Sequence, residues 1–457
     1  MTDVFTDIRG VRHGDRALVL NPVLKSEKRF LDDERALQET EGLARAIDLD
    51  VVEAKTLFLN RTVPSTLLGR GQVEQCAELV AEEGIILVVV NHALSPIQQR
   101  NLERAFHCKV IDRTGVILEI FGDRARTREG KLQVELAALE YQKSRLVKSW
   151  THLERQRGGF GFLGGPGESQ LEVDRRLIVE RIVRLKKDLD QVRRTRRLGR
   201  SARHRAGKPT IAFVGYTNAG KSTLFNRLTG ADVLSKNMLF ATLDPTMRAL
   251  TLPGGQEAIL SDTVGFITDL PTNLVEAFRA TLEEVVEADV LVHVRDVAHP
   301  DTKRQRDAVM SVLGDLGIEA DDPRLIEALN KIDLLPDDER ARLKLYAARV
   351  LKEGPASESC GDIRPEARGG VVGVSALTGE GMDELLRLIE RVVSSTSVTH
   401  TITLSLSDGA ALSWLYAHGK ILERKEKKTK VFLKVEMDAA SYGRFESRFG
   451  ENLEKKV

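Results

Sequence analysis

The sequence predicts an α/β protein in four parts. These are an α/β N-terminal domain, an antiparallel helical hairpin, a second α/β domain and a small α+β C-terminal domain. Three observations predict it. Strand-like and helix-like stretches alternate over the first ~120 residues and again over ~209–395, the order expected of parallel sheets flanked by helices. Between these regions, leucines and isoleucines recur at heptad spacing. From Thr399 the pattern becomes strand, helix, strand, strand, helix. At 457 residues the chain has room for two to four domains of about 100–200 residues each.

Composition narrows the function classes. Hydrophobic residues make up 42% and aromatics only 5%, so the cores are aliphatic. Lys and Arg (69) nearly balance Asp and Glu (68), for a net charge of +1, which removes the argument for nucleic-acid binding by a globally basic chain. Local patches remain open. Cys76, Cys108 and Cys360 are far apart and form no CxxC pair, which argues against a disulfide framework or a cysteine zinc site and for a reducing compartment. The longest clean apolar run, Ile85–Val90, is far short of the ~20 residues that span a bilayer. The N-terminus, MTDVFTDIRG, has neither a basic n-region nor an apolar h-region. The expectation is a cytoplasmic monomer with no membrane span.

The N-terminal domain is assigned to 1–125. Its strands are expected at Ala17–Leu20, Val51–Leu59, Ile85–Val90 and Lys109–Ile111, and its helices at Leu31–Ile47, Gln72–Glu83 and Pro96–Phe106. Gly69-Arg70-Gly71 reads as a turn, with a phosphate or RNA contact as the alternative. The hairpin follows at 126–207. Leu132, Leu136, Leu139, Leu146, Trp150 and Leu153 form one seam, and Ile178, Ile182, Leu185, Leu189 and Val192 the other. Glycines cluster between Gly158 and Gly167, with Phe160 and Phe162 among them, and Ser169 and Glu172 form a capping box that restarts the helix. From Arg181 to Lys208 there are 12 Lys/Arg against Asp188 and Asp190, an excess of +10 over 28 residues. A solvated face is the plain reading; in a neutral chain the excess favours an RNA or polyanion contact, steeply salt-dependent. The glycine-rich tip is either a flexible loop or a further RNA contact.

The domain at 208–396 carries the chemistry. Thr210–Val214 is an apolar strand, and Thr223–Leu228 begins a helix. Between them Gly215, Tyr216, Thr217, Asn218, Ala219, Gly220, Lys221 and Ser222 satisfy G-x4-G-K-[ST] in the required strand–loop–helix context. Backbone N–H groups and the helix N-terminus would cradle phosphates, Lys221 would bridge the β- and γ-phosphates, and Ser222 would ligate Mg2+. Asp262, Thr263, Val264 and Gly265 follow the strand Ala258–Leu260. There Asp262 reaches the Mg2+ shell and the Gly265 N–H senses the γ-phosphate. The intervening loop holds Phe240, Ala241, Thr242, Leu243 and Asp244; Thr242 is the candidate second Mg2+ ligand, with Thr246 as the fallback and a plain loop threonine as the alternative.

Asn330, Lys331, Ile332 and Asp333 set the base. The Asp333 carboxylate accepts from the guanine N1–H and N2–H2, whereas adenine offers no donors there. Losing two charge-assisted bonds costs roughly a hundredfold or more. Ser375, Ala376 and Leu377, after Val371–Val374, would support the guanine O6 through the backbone. The polar stretch Glu353–Gly370 reads as an exposed loop. His293 and His299 lack metal spacing and read as packing or loop residues, and Glu283, Glu284 and Glu287 as a solvated helix face. The small α+β domain occupies 397–457, with strands at Thr401–Leu406, Lys420–Arg424 and Lys430–Met437, a helix from Asp408 to Gly419 and another around Tyr442–Phe449.

These motifs resemble a translation-factor-class P-loop GTPase. The run from Gly158 through Glu168 to Arg176, together with Leu239–Thr246 and Asp262–Ile267, resembles more narrowly the HflX family of ribosome-associated GTPases. The resemblance spans the N-terminal domain, hairpin and GTPase domain and is looser over the last ~60 residues. It implies GTP hydrolysis to GDP with Mg2+, binding to the large ribosomal subunit and its RNA, splitting or rescue of stalled ribosomes under stress, and a role in subunit assembly. Catalytic roles fall to Lys221, Thr242 and Asn218. Asn218 resembles the phosphate-loop asparagine of K+-activated GTPases. One departure matters: Phe266 stands where a Ras-like enzyme has a water-orienting glutamine, so slow hydrolysis stimulated by a partner is expected. Two rivals stay open: an ATP-dependent RNA remodeller working through the N-terminal domain, and a GTP-locked anti-association factor whose hydrolysis is incidental.

Overall fold

The structure, a computed structural model, describes residues 14–25, 33–156, 170–205, 208–231, 239–240, 246–267, 282, 284–353, 369–395, 397–406, 408–418, 420–427, 429–438, 442, 445–446 and 448–449. The first sheet contains β1 (Arg16–Leu24), β2 (Asp50–Leu59), β3 (Leu87–Val90) and β4 (Lys109–Asp112), in the order β2-β1-β3-β4 and parallel throughout. The apolar runs of β1 and β3 are buried on both faces, as strands covered by helices on each side must be. Those helices are α1 (Asp33–Ala46), α2 (Arg70–Glu82) and α3 (Pro96–Phe106). Ser95 and Gln98 form a capping box at the start of α3, whose first position is Pro96.

A further helix, α4 (Arg113–Arg124), has no counterpart in the sequence reading. Asp112 caps it by accepting from the Gly115 N–H at 2.9 Å. Nearly every residue from Arg113 to Phe121 is buried, so α4 lacks the polar stripe that makes a helix visible as a periodic pattern.

The hairpin is formed by α5 (Arg128–Gln156) and α6 (Gln170–Arg205). Leu136 and Leu139 pack against Ile182, Leu185 and Leu189, with Leu132 and Ile178 beside them, as the heptad spacing predicts. Arg181–Glu135 (2.7 Å) and Lys186–Glu140 (2.8 Å) pair across the helices and fix register more than they add stability. The glycine-rich tip and the Ser169 cap lie outside the described residues.

The next sheet holds β5 (Thr210–Val214), β6 (Thr246–Thr251), β7 (Glu257–Asp262), β8 (Val290–Asp296), β9 (Leu325–Asn330) and β10 (Val371–Gly373). Its order is β10-β9-β8-β5-β7-β6, and only the edge strand β6 runs antiparallel. Helices α7 (Lys221–Thr229), α8 (Thr302–Asp315), α9 (Asp337–Glu353) and α10 (Met382–Ser395) accompany it. One expectation here is corrected. Glu284 is not on a solvated face but buried, where it accepts a hydrogen bond from the Ser261 hydroxyl at 3.4 Å.

The C-terminal sheet is antiparallel, with β11 (Ser397–Ser405), β12 (Lys420–Lys427) and β13 (Lys430–Asp438) in the order β11-β13-β12. Helix α11 (Gly409–His418) and Phe445 cover one of its faces. Among the described residues no helix is long and apolar enough to cross a membrane.

One feature of the packing positions the site. A continuous hydrophobic core joins Val116, Ile120 and Phe121 of α4 to Tyr216, Phe240, Phe266 and Val285 of the second α/β unit. The N-terminal sheet and the phosphate loop therefore share a core and are not merely tethered.

Candidate nucleotide-binding site

The site sits at the carboxyl ends of parallel strands, where open α/β sheets place ligands. The phosphate loop leaves β5, and Asp262 ends β7 beside it. Asp296 ends β8 and Asn330 ends β9. Glycine is required where the loop turns into α7: Gly220 has φ +94°, and a Cβ there would lie 2.2 Å from the Asn330 side-chain nitrogen. A Cβ on Gly265 would meet Thr217 at 2.8 Å and the Lys221 ammonium at 3.1 Å, so these two loops touch without side chains between them.

Their backbones are joined directly. The Thr217 N–H donates to the Phe266 carbonyl (2.7 Å) and the Phe266 N–H donates to the Gly215 carbonyl (3.1 Å). Thr263 is buried, its hydroxyl donating to the Phe213 carbonyl of β5. Val264 and Phe266 are buried in the shared core, so the Phe266 ring is packing and leaves no water-orienting group at that position.

Lys221 is buried and donates to the carbonyls of Gly215 (2.9 Å) and Tyr216 (2.8 Å), the arrangement of a lysine folded over its own phosphate loop. Burial lowers its pKa to about 8, partly opposed by the Asp262 carboxylate. The Ser222 hydroxyl donates to Asp262 Oδ2 at 2.7 Å. A hydroxyl and a carboxylate brought together at the start of a phosphate-loop helix are hard oxygen donors and fit Mg2+. Thr242, with Ala241, Leu243 and Asp244, lies outside the described residues; the fallback Thr246 is the first residue of β6.

The elements expected to read the base lie at the same end of the sheet. Asn330 is buried and clamps two loops: its side-chain nitrogen donates to the Ala219 carbonyl (2.8 Å) and its oxygen accepts from the Ala376 N–H (3.0 Å). Lys331 takes a left-handed φ of +66° and pairs with Asp296 at 2.7 Å. Ile332 anchors a one-turn 3-10 helix in the core and leaves Asp333 half-buried on its outer side. Ser375 is fully buried, and its hydroxyl accepts from the Thr378 N–H at 3.1 Å, while Leu377 is 74% exposed. Ala219 packs in the core and Asn218 is exposed at φ +59°.

One layer of the site has no contiguous motif to announce it. The Tyr216 hydroxyl donates to Glu39 of α1, and Glu39 also holds Arg113, the first residue of α4. Arg35 of α1 pairs with the buried Asp301 at 2.5 Å. Phe240 stacks edge-on against Phe121 of α4 (centroids 4.8 Å apart, 79°), and Leu239 lies against Gly42 of α1. A cleft of about 510 Å³ runs along this junction, with Glu39, Arg45, Asn218 and His299 in its wall. The only local signal was a tyrosine in the phosphate loop and an apolar pair, Leu239-Phe240, in the loop that follows. His293 is buried and held well below its usual pKa by burial and then by Arg295, which makes it a neutral packing residue.

Known proteins match this chain along most of its length. Family models described as GTP-binding GTPase N-terminal, GTP-binding GTPase Middle Region, 50S ribosome-binding GTPase and HflX C-terminal domain match residues 34–122, 124–203, 210–331 and 363–457 in turn. The GTPase HflX of Magnetococcus marinus is 49% identical, over 94% of each chain. The GTPase HflX of Escherichia coli (strain K12) is 42% identical, over 88% of each chain. A GTP-binding protein of Sulfolobus solfataricus, solved with GDP, aligns over 83% of this chain and 99% of its own, at 22% identity and a TM-score of 0.44. Family models in succession along the chain and relatives of this identity and coverage lead to one conclusion: the chain belongs to the HflX family of GTPases.

Proposed function

We propose that the chain is a GTP-driven switch on the large ribosomal subunit, acting in the splitting or rescue of stalled ribosomes or in subunit assembly. The observation that carries the switch is the packing of Tyr216 and Leu239-Phe240 on α1 and α4 of the N-terminal domain. Those residues bracket the phosphate site, so a change in what Lys221 holds is felt directly by a second domain. The ribosomal partner is supported by the match of residues 210–331 to the 50S ribosome-binding GTPase model and by the +10 excess from Arg181 to Lys208. A basic helix of that kind meets RNA phosphates with strong salt dependence.

In this reading Lys221 and the loop N–H groups hold the β- and γ-phosphates. Ser222 and Thr242 would hold Mg2+, which would neutralise phosphate charge. Asn330 orders the loops and Asp333 selects guanine. Water attacks the γ-phosphate to give GDP and phosphate, and because the Phe266 ring is buried a partner must supply the orienting group. Asn218, exposed in the phosphate loop, is the candidate K+ ligand; equal basal hydrolysis rates in potassium and sodium chloride would remove that role.

The switch is tested at Glu39. Sedimentation with large subunits is compared in a non-hydrolysable GTP analogue and in GDP. The wild-type chain binds better with the analogue, and Glu39→Gln shrinks that ratio by about fivefold or more, the scale of a typical coupling free energy. A ratio that Glu39→Gln leaves unchanged would break the proposed link.

A further inference from the structure

The C-terminal sheet has one face packed and one open. Ile402, Leu404, Val431, Leu433 and Val435 point to the core under α11. On the alternate positions the opposite face is in solvent, and polar residues belong there. The central strand β13 departs from that rule: Phe432 is 37% exposed in the middle of the open face. The register places Thr403 and Lys425 opposite it on the two flanking strands. Lys430 and Lys434 sit two residues before and after it on the same face, roughly 7 Å to either side. Thr401 lies opposite Lys434 and Ser405 opposite Lys430, so short hydroxyl side chains line one side of the ring and leave its face open. By register Lys427 and Glu436 share this face with Lys425, Lys430, Lys434 and Glu423, so lysines outnumber acids there; Glu423 pairs with Lys425 and lies opposite Lys434.

A single exposed apolar side chain on a surface means little. An aromatic ring at the centre of an open antiparallel sheet, with cations along its own strand and beside it, is the arrangement that stacks an unpaired base while holding its phosphates. Duplexes bury their base faces, so the ring selects single strands. We infer that the open face of the C-terminal sheet binds single-stranded RNA, with Phe432 as the stacking platform and Lys425, Lys430 and Lys434 as phosphate contacts. The choice of RNA rests on the ribosomal reading above, while the site is a different surface from the nucleotide site and the basic hairpin.

The test uses the full chain and a fluorescent, thiouridine-substituted single-stranded RNA of about ten nucleotides. After irradiation, cross-links are expected on the peptide that contains Phe432. Phe432→Ala lowers their yield by about fivefold or more, and Phe432→Tyr, which keeps the ring, retains it. Lys434→Glu, a surface change, lowers it as well. Basal GTP hydrolysis stays at the wild-type rate in all three variants, which also reports that they fold. Cross-links confined to residues 170–205, or a yield that Phe432→Ala leaves unchanged, would overturn the inference. So would polyglutamate displacing the RNA as readily as unlabelled RNA does, which would assign the face to an acidic protein segment. Ribosome sedimentation run in parallel separates the two readings. A chain that cross-links at Phe432 yet fails to sediment keeps this inference and loses the ribosomal one, and the reverse result loses this inference alone.

Discussion

Asp333→Asn lowers GTP affinity by about a hundredfold or more and leaves the fold unchanged. The half-buried carboxylate lies on the outer side of a 3-10 turn held from beneath by Ile332, so the side chain can be exchanged without disturbing the core. An amide of the same size keeps one acceptor and turns its second oxygen into a donor, which then faces the guanine N–H groups. The loss is therefore specific to the base. Asn330 still clamps Ala219 and Ala376, so phosphate binding survives. Titration with GTP and with xanthosine triphosphate checks this, because xanthine presents an oxygen where guanine presents its exocyclic amine. GTP should weaken and the xanthine nucleotide should strengthen. Equal weakening of both would mean that the variant damaged the loop and not the base contact.

Above about pH 8, GTP affinity falls by roughly tenfold per pH unit. Without nucleotide, burial holds the Lys221 ammonium at a pKa of about 8 against an ordinary 10.5, and only the charged form can hold phosphate oxygens. Bound phosphates raise that pKa again, so GTP takes up a proton when it binds. At pH 8 the uptake is about half a proton, readable as a dependence of the binding heat on the buffer's ionisation heat. The sign for folding is opposite to the usual lysine case. Between about pH 8 and 10.5 the unfolded chain binds more protons than the folded one, so the stability of the nucleotide-free protein rises with pH across that window. Affinity that stays flat from pH 7 to 9, with no proton uptake, would contradict this account of Lys221.

That the phosphate-loop, D-x-x-G and N-K-x-D motifs would meet in one candidate site was legible because they are short and contiguous. Gly215 through Ser222, Asp262 through Gly265 and Asn330 through Asp333 each lie at the carboxyl end of one strand, and alternating strands and helices told where those ends fall. The hairpin seam was legible for the same reason, with Leu136, Leu139, Ile182, Leu185 and Leu189 meeting as their spacing required. What stayed hidden depended on distant chain segments. Tyr216 and Glu39 are 177 residues apart, and no local pattern announces a hydrogen bond across that interval. Helix α4 was invisible because it is buried almost all round, and Glu284 because a buried carboxylate and a surface one look alike in sequence. Phe266 shows the division clearly. The sequence says that the residue after Gly265 is not a glutamine, but the three-dimensional packing is needed to learn that its ring belongs to the core shared with α4.

The central claim is a switch whose hydrolysis waits for the ribosome, and the rate of GTP hydrolysis by the purified chain, with and without large ribosomal subunits, tests it most directly. The account predicts slow turnover alone and stimulation by about a hundredfold or more once subunits are added, since the missing orienting group then arrives from the partner. Rapid turnover by the isolated chain, or no stimulation by subunits to which the chain demonstrably binds, would contradict it.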